Sequence, residues 1–223
     1  MKAFIIGVLT VFLSPYLSYA EGSGKGLVFE KTFQSFSPDP SVAEVESVYK
    51  FTNQSDYPIT IESIKTSCGC TTAELEKKTY NPGETGEIKA YFNLGGRQGL
   101  QQKKIRVTTD YFENPESILT LEVRIPEILI FSSRFVAWER GQSVHPKTIT
   151  LTVAEGVETV SITEVTCPGD IFEVEVDVIE PGRQYQIKVT PVDVEDAKNA
   201  LIEIKTDFPQ NNPKTFYAHA FIR

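Results

Sequence analysis

Positive charge, sulfur and histidine are all scarce in this chain. Twenty-two lysines and arginines stand against thirty aspartates and glutamates, a formal net charge of −8. An acidic chain repels phosphate backbones. The densest cationic spot, Lys103-Lys104 with Arg106, reads as solvated side chains on a strand. Nucleic acid is therefore not an expected partner. Three cysteines in 223 residues are too few for a disulfide-stapled scaffold. Their odd number leaves at least one free, buried or paired between chains in an oxidising compartment. One methionine and two histidines offer little to a metal-rich site, and no cofactor is expected. Helical periodicity with caps is missing after the first 20 residues.

What is present begins with a secretory pattern. Met1-Lys2 is positive, Ala3 to Leu13 is apolar and uncharged, and Pro15 breaks the run. Ser18 and Ala20 place small residues at the −3 and −1 positions before Glu21. Residues 1–20 thus read as a signal peptide cleaved after Ala20, leaving a secreted or periplasmic chain. The apolar run is shorter than the roughly 20 residues that span a bilayer, and no longer one follows. No integral membrane segment is expected after cleavage. No cysteine stands at the cleavage point, so a lipoprotein is not expected either.

From Leu27 onward, apolar and polar residues alternate. Ile88, Ala90 and Phe92 alternate with Glu87, Lys89 and Tyr91. Leu119, Leu121, Val123 and Ile125 alternate with Thr120, Glu122 and Arg124. The pattern restarts beyond Pro126: Ile149, Leu151 and Val153 lie among threonines, and Phe172, Val174, Val176 and Val178 among Glu173, Glu175 and Asp177. A period of two sets one face of each strand in the core and the other in water.

The two halves align. Cys68 and Cys167 stand 99 positions apart, as do Pro82 and Pro181. Ile105-Arg-Val-Thr-Thr-Asp110-Tyr111 matches Ile202-Glu-Ile-Lys-Thr-Asp207-Phe208 at an offset of 97. These landmarks predict a duplicated module of roughly seven short strands, mostly antiparallel, which suits an immunoglobulin-like sandwich. The expected fold is all-β: two tandem immunoglobulin-like β-sandwiches after the signal peptide, over residues 27–126 and 132–223. The short apolar junction, Ile125-Pro126-Glu127-Ile128-Leu129-Ile130, implies modules in contact.

Four motifs of the first half carry a resemblance: Phe51-x-Asn53-x-Ser55-Asp56-x-Pro58-Ile59-x-Ile61, Ser67-Cys68-Gly69-Cys70-Thr71, Pro82-Gly83-Glu84-x-Gly86-x-Ile88, and Gly99 with Lys104-Ile105-x-Val107. Residues 27 to 126 resemble the secreted bacterial family known as domain of unknown function 1573. That family is similar in turn to the Hydin and major-sperm-protein type of sandwich. The resemblance implies a fold and a location, not a reaction. The second half keeps only the skeleton: Cys167-Pro168-Gly169 lacks the second cysteine, and Arg183 stands in the place of Glu84.

Cys68 and Cys70 are the unusual chemistry. On an extended segment both side chains share a face, and Gly69 between them permits a bend. Three readings stay open: a structural pair that rigidifies a loop, a strained disulfide with redox use, and a thiolate pair for a soft metal such as copper or zinc. A closed zinc site takes four ligands, and His145 and His219 both lie in the other half. Cys167 reads as free and buried. Pro82-Gly83-Glu84 and Pro181-Gly182 read as type II turns, with no role for Glu84 beyond the turn. Gly95-Gly96-x-x-Gly99 reads as a hairpin loop, since no Walker lysine follows. His145 and His219 lack a nucleophile or carboxylate partner motif. Trp138 reads as packing, and Asp193, Glu195 and Asp196 as a solvated turn that lacks calcium-loop spacing.

The reading that unites these is a non-catalytic binding or scaffolding protein whose partner is a protein or an envelope component. The alternative is a thiol-dependent redox or soft-metal protein using Cys68 and Cys70.

Overall fold

The computed structural model describes residues 26–223, and every regular element among them is a strand. The expected signal peptide lies outside the described residues. The first half forms β1 (Leu27–Phe29), β2 (Phe33–Phe36), β3 (Glu44–Asn53), β4 (Ile59–Thr66), β5 (Thr71–Leu75), β6 (Thr79–Tyr80), β7 (Thr85–Asn93), β8 (Gly99–Thr109) and β9 (Glu116–Ile125). The second forms β10 (Leu129–Phe131), β11 (Phe135–Trp138), β12 (Lys147–Val153), β13 (Ile162–Thr166), β14 (Phe172–Glu180), β15 (Gln184–Pro191), β16 (Lys198–Thr206) and β17 (Thr215–Ile222).

These strands make four sheets, and none mixes the halves. The orders are β1-β3-β7-β5 and β2-β9-β8-β4-β6, then β10-β12-β15-β14 and β11-β17-β16-β13. The two halves share one strand order, and β6 alone has no counterpart. Pairing is antiparallel except where β2 joins β9 and β11 joins β17. Leu129–Phe131, which the sequence reading left ahead of the second module, pair with Leu151–Val153 and so belong to its sheets.

The alternation is what builds the sandwiches. β3 turns Val45, Tyr49 and Phe51 inward, β9 Leu119, Leu121 and Val123, and β17 Phe216, Ala218, Ala220 and Ile222. Each large side chain so buried stabilises the fold by about 1.5–3 kcal/mol relative to exposure. One expected apolar row departs from this. Phe172 is buried, but Val176 and Val178 of β14 are 38% and 58% exposed. They lie at the outer edge of their sheet, where no strand covers them.

The shared landmarks have shared jobs. Gly83 and Gly182 take positive φ (75° and 72°), and each turn closes with a backbone bond, Glu84 N–H to Asn81 and Arg183 N–H to Glu180. The Asp110 carboxylate accepts the Thr60 N–H at 2.8 Å, and that of Asp207 accepts the Ser161 N–H at 2.7 Å. Asn53 of the family motif is wholly buried. Its amide donates to the carbonyls of Tyr57 (2.9 Å) and Tyr80 (2.8 Å), and its oxygen accepts from the N–H and hydroxyl of Ser55. The asparagine of that motif is thus a buried polar lock in the fold.

The halves meet along a hydrogen-bonded seam. The Gln98 side chain donates to the Leu129 carbonyl (2.8 Å) and accepts from the backbone N–H of Ile128 and Leu129. Asn212 donates to the Ser41 carbonyl (2.9 Å), and the buried Lys214 ammonium to that of Val42 (3.2 Å). Gly96 is needed for this approach, because a Cβ there would overlap the Thr215 carbonyl oxygen. The expected hairpin at Gly95-Gly96 is instead a crossover, since β7 and β8 lie in different sheets, and its glycines face the second half.

Two substitutions test these contacts. Asn53→Ala leaves buried carbonyls and an N–H without partners and is expected to cost about 2–4 kcal/mol in urea unfolding. Gly96→Val forces the seam apart, and Gln98→Ala strips its bridge. Both should raise limited-proteolysis cleavage near residues 126–128 while strand content by circular dichroism holds.

Candidate functional site

The Cys-Gly-Cys segment is the link between β4 and β5. Extended β4 ends at Thr66, and the chain then bends rather than running straight. The Thr66 hydroxyl donates to the Cys68 carbonyl (3.0 Å), which also takes the Thr71 N–H (3.4 Å). Ser67 is tied to β8 twice: its N–H donates to the Lys104 carbonyl (2.9 Å), and its hydroxyl accepts the Lys104 N–H (3.1 Å). The bend brings the Cys68 and Cys70 Cα atoms to 5.3 Å, and the two sulfurs form a disulfide. An extended segment would hold them farther apart, near the upper end of the bridgeable range of about 6–7 Å. The turn hydrogen bonds, invisible as such in the sequence, make the difference.

Both cysteines are half-buried. Cys70 packs on the core cluster of Val45, Phe92, Leu94, Leu121, Val123 and Ile125, and its carbonyl accepts the Asn93 N–H at 3.1 Å. Cys68 presents its sulfur to the Thr71 hydroxyl at 3.5 Å. Asn93 lines the cleft whose far wall is Asn212–Thr215. The disulfide thus sits at the end of the first half that faces the second. Gly69 at its tip is exposed, and a Cβ there would meet no atom within 4 Å. Packing does not demand glycine at this position.

Cys167 occupies the matching place in the second half and is free. It lies against the second core, where burial raises its thiol above the ordinary cysteine range. The fold does not bring it to Cys68 or Cys70, whose sulfurs are bonded to each other. With both thiols consumed, the pair has no thiolate to offer a metal in this state. Among the described residues no three His, Cys, Asp or Glu side chains converge.

The remaining candidates resolve into structure. Glu84 pairs with Lys77 and accepts the Asn81 N–H; Lys77, and then that N–H, hold its carboxyl below the usual range. Arg183, in its place, donates to the carbonyls of Val157 (2.7 Å) and Glu158 (2.8 Å) instead. Asp193 grips Lys198 at 2.7 Å and takes the Glu195 N–H; these two bonds, Lys198 first, lower its pKa. Trp138 is buried against Phe172 and donates its indole N–H to the His145 carbonyl. The His145 ring lies 2.9 Å from the Ser143 carbonyl, and the rings of His219, Phe135 and Phe221 pack together, each beside the other two. A cleft of about 350 Å³ at the seam gathers Arg97, Arg134, His219, Tyr217 and Phe135, and no carboxylate lines it. The sequence held no signal for it, since Arg97 and Arg134 come from different halves.

Fold and site together define an all-β sandwich protein with one surface disulfide loop. Residues 27–125 match the model of the family described as Protein of unknown function (DUF1573). No curated protein matches the chain. Among solved structures, the YadV chaperone is similar at 12% identity, with 86% of this chain and 98% of that one covered and a TM-score of 0.36. A protein of unknown function from Porphyromonas gingivalis W83 is similar at 12% identity, covering 89% and 97%, with a TM-score of 0.34. The VesB protease of Vibrio cholerae is similar at 13% identity over 45% of this chain, with a TM-score of 0.37; the chain spans 32% of that protease's length. Likenesses this loose carry no argument about activity. No helix among the described residues is long and apolar enough to cross a membrane.

Two outcomes follow from the loop's geometry. Gly69→Ala should leave stability within about 0.5 kcal/mol of the parent, read by thermal unfolding. In thiol titration at neutral pH, the native oxidised protein should react slowly with one equivalent of reagent, at Cys167, and rapidly once unfolded.

Proposed function

We propose that the chain is a secreted or periplasmic, non-catalytic binding or scaffolding protein of two tandem immunoglobulin-like modules that engages a protein partner or an envelope component. The observation that carries this reading is where its exposed apolar side chains lie. Val176, Val178 and Ile179 are all more than a third exposed and follow one another on a free sheet edge. Sheet edges and rigid sandwich surfaces are common sites of protein capture. The seam supports the scaffolding part, since bonds from Gln98, Asn212 and Lys214 hold the two halves in one arrangement.

The second reading is thiol-dependent, with the Cys68–Cys70 disulfide as the working group. The half-buried, turn-mounted bridge with an open tip at Gly69 favours it. In that case the pair would be reduced by a partner, or hold a soft metal once reduced.

Cys68→Ser/Cys70→Ser separates the two. A tagged wild type and the double variant are used to pull partners from the secreted or periplasmic fraction of the producing cell. The binding reading expects equal capture, with unfolding shifted by the lost loop closure alone. Loss of capture with the fold intact sinks it in favour of the thiol reading. Intact mass with and without alkylation, and a metal assay on the same sample, report the state of all three sulfurs.

A further inference from the structure

The two halves close their flanks differently. In the first, β5 ends after five residues; the chain crosses to the other sheet as β6 and pairs with β4 at Ile59 and Thr60. Tyr80 of β6 is buried there, against Phe51, with ring centroids 4.8 Å apart. The Tyr80 ring needs Gly86 beneath it, because a Cβ at Gly86 would collide with both aromatic rings. At the matching place 99 positions on, the second half has Tyr185. That ring is buried, donates to the Val160 carbonyl (2.8 Å) and accepts the Gly182 N–H (3.0 Å). One tyrosine from β15 thus does what β6 does in the first half. The segment that would have crossed over instead stays in its own sheet, with a register shift between Val178 and Glu180 that leaves Ile179 without a partner on β15. β14 runs nine residues along β15, to Glu180, and forms the end of its sheet.

The result is a long strand with one edge unpaired and both faces wet over Glu175–Glu180. Such an edge is a template for another strand. Its faces are chemically distinct. Val174, Val176 and Val178 stand opposite Val189, Ile187 and Tyr185 on one face; Glu173, Glu175 and Asp177 occupy the other. Phe172–Glu180 contains four carboxylates and no cation. Among the described residues only Glu175 of these has a salt-bridge partner, Lys188 directly across on β15 at 3.0 Å. β15 therefore shows what β14 accepts as a neighbour: β-branched or aromatic residues on one face and a lysine on the other.

We propose that the free edge of β14 binds an extended segment of a partner protein by strand addition. This rests on the binding reading above and names its site and partner chemistry. The segment alternates β-branched or aromatic residues with lysine or arginine. Main-chain hydrogen bonds supply affinity, and the alternating side chains fix register and selectivity. A second copy of this chain does not fit. Antiparallel pairing of β14 with itself about Glu175 sets Glu175 against its own copy and Glu173 against Asp177, and like charges across strands destabilise the pair. The acidic row keeps copies of a −8 protein apart and leaves the edge to a strand of opposite charge.

The test uses two labelled 11-residue peptides, one alternating valine with lysine around a central tyrosine, the other with glutamate for lysine. Fluorescence polarisation should show saturable binding of the lysine peptide alone. Hydrogen exchange should show new protection in 172–180. Val176→Asp/Val178→Asp should weaken binding at least tenfold. Glu173→Lys/Asp177→Lys should do the same and admit the glutamate peptide; it decides the matter if the first variant does not fold. Equal binding of both peptides, or lysine-peptide binding untouched by the variants, overturns the proposal. Both variants still capturing the partner of the wild type would refute the edge alone. A wild type that captures nothing and ignores the lysine peptide would bring down the binding reading as well.

Discussion

A two-sheet sandwich must be closed at its flank, and in this protein an aromatic ring does it. Apolar inner faces that meet water at the open side lose the burial that drives folding. Tyr80 and Tyr185 fill equivalent openings, yet they arrive from different strands. Gly86 makes room for the first, and its counterpart is the second. That exchange of a glycine for a tyrosine sets the path of the preceding segment. With Tyr80 inward the chain crosses to the opposite sheet. With Tyr185 already in place it has no slot to enter, and β14 runs on as an exposed edge. One packing decision thus separates a half whose end strand β5 runs five residues from one whose end strand β14 runs nine.

The first half ends the matching sheet on the short β5 and carries the disulfide loop just before it. The loop is held from both sides: Ser67 binds β8, Cys70 binds Asn93 at the end of β7, and the Cys70 side chain rests on the core. Because Asn93 also borders the cleft against Asn212–Thr215, the loop and the seam are mechanically adjacent. The second half has no such loop, and its lone thiol is pushed toward the neutral form by burial. The two halves share a strand order and differ in what they present.

Much of this was legible in advance, and the reason is local. Alternation such as Ile88-Ala90-Phe92 depends only on neighbours two residues away, so the strands and their buried faces could be read directly. The turns at Pro82-Gly83 and Pro181-Gly182 were equally plain, since positive φ favours glycine wherever it occurs. Less was legible where a residue's task lies across the chain. Asn53 was visible only as a motif position and is a buried lock, because Tyr57 and Tyr80 bring their carbonyls to it. Gly96 looked like a hairpin glycine and is a contact with Thr215, more than a hundred positions away.

The sequence by itself determined the all-β class, the repeated landmarks, the positions of the chemically unusual cysteines and the acidic character of the surface. These follow from residue type, spacing and charge, which do not depend on where distant segments go. Tertiary structure decided the disulfide's bent setting, the hydrogen-bonded seam and the exposure of Val176 and Val178. The valine row of β14 obeys the same period of two as every buried row in the molecule. It is wet because no strand lies over it, and whether a strand covers a face is set by the paths of segments elsewhere in the chain.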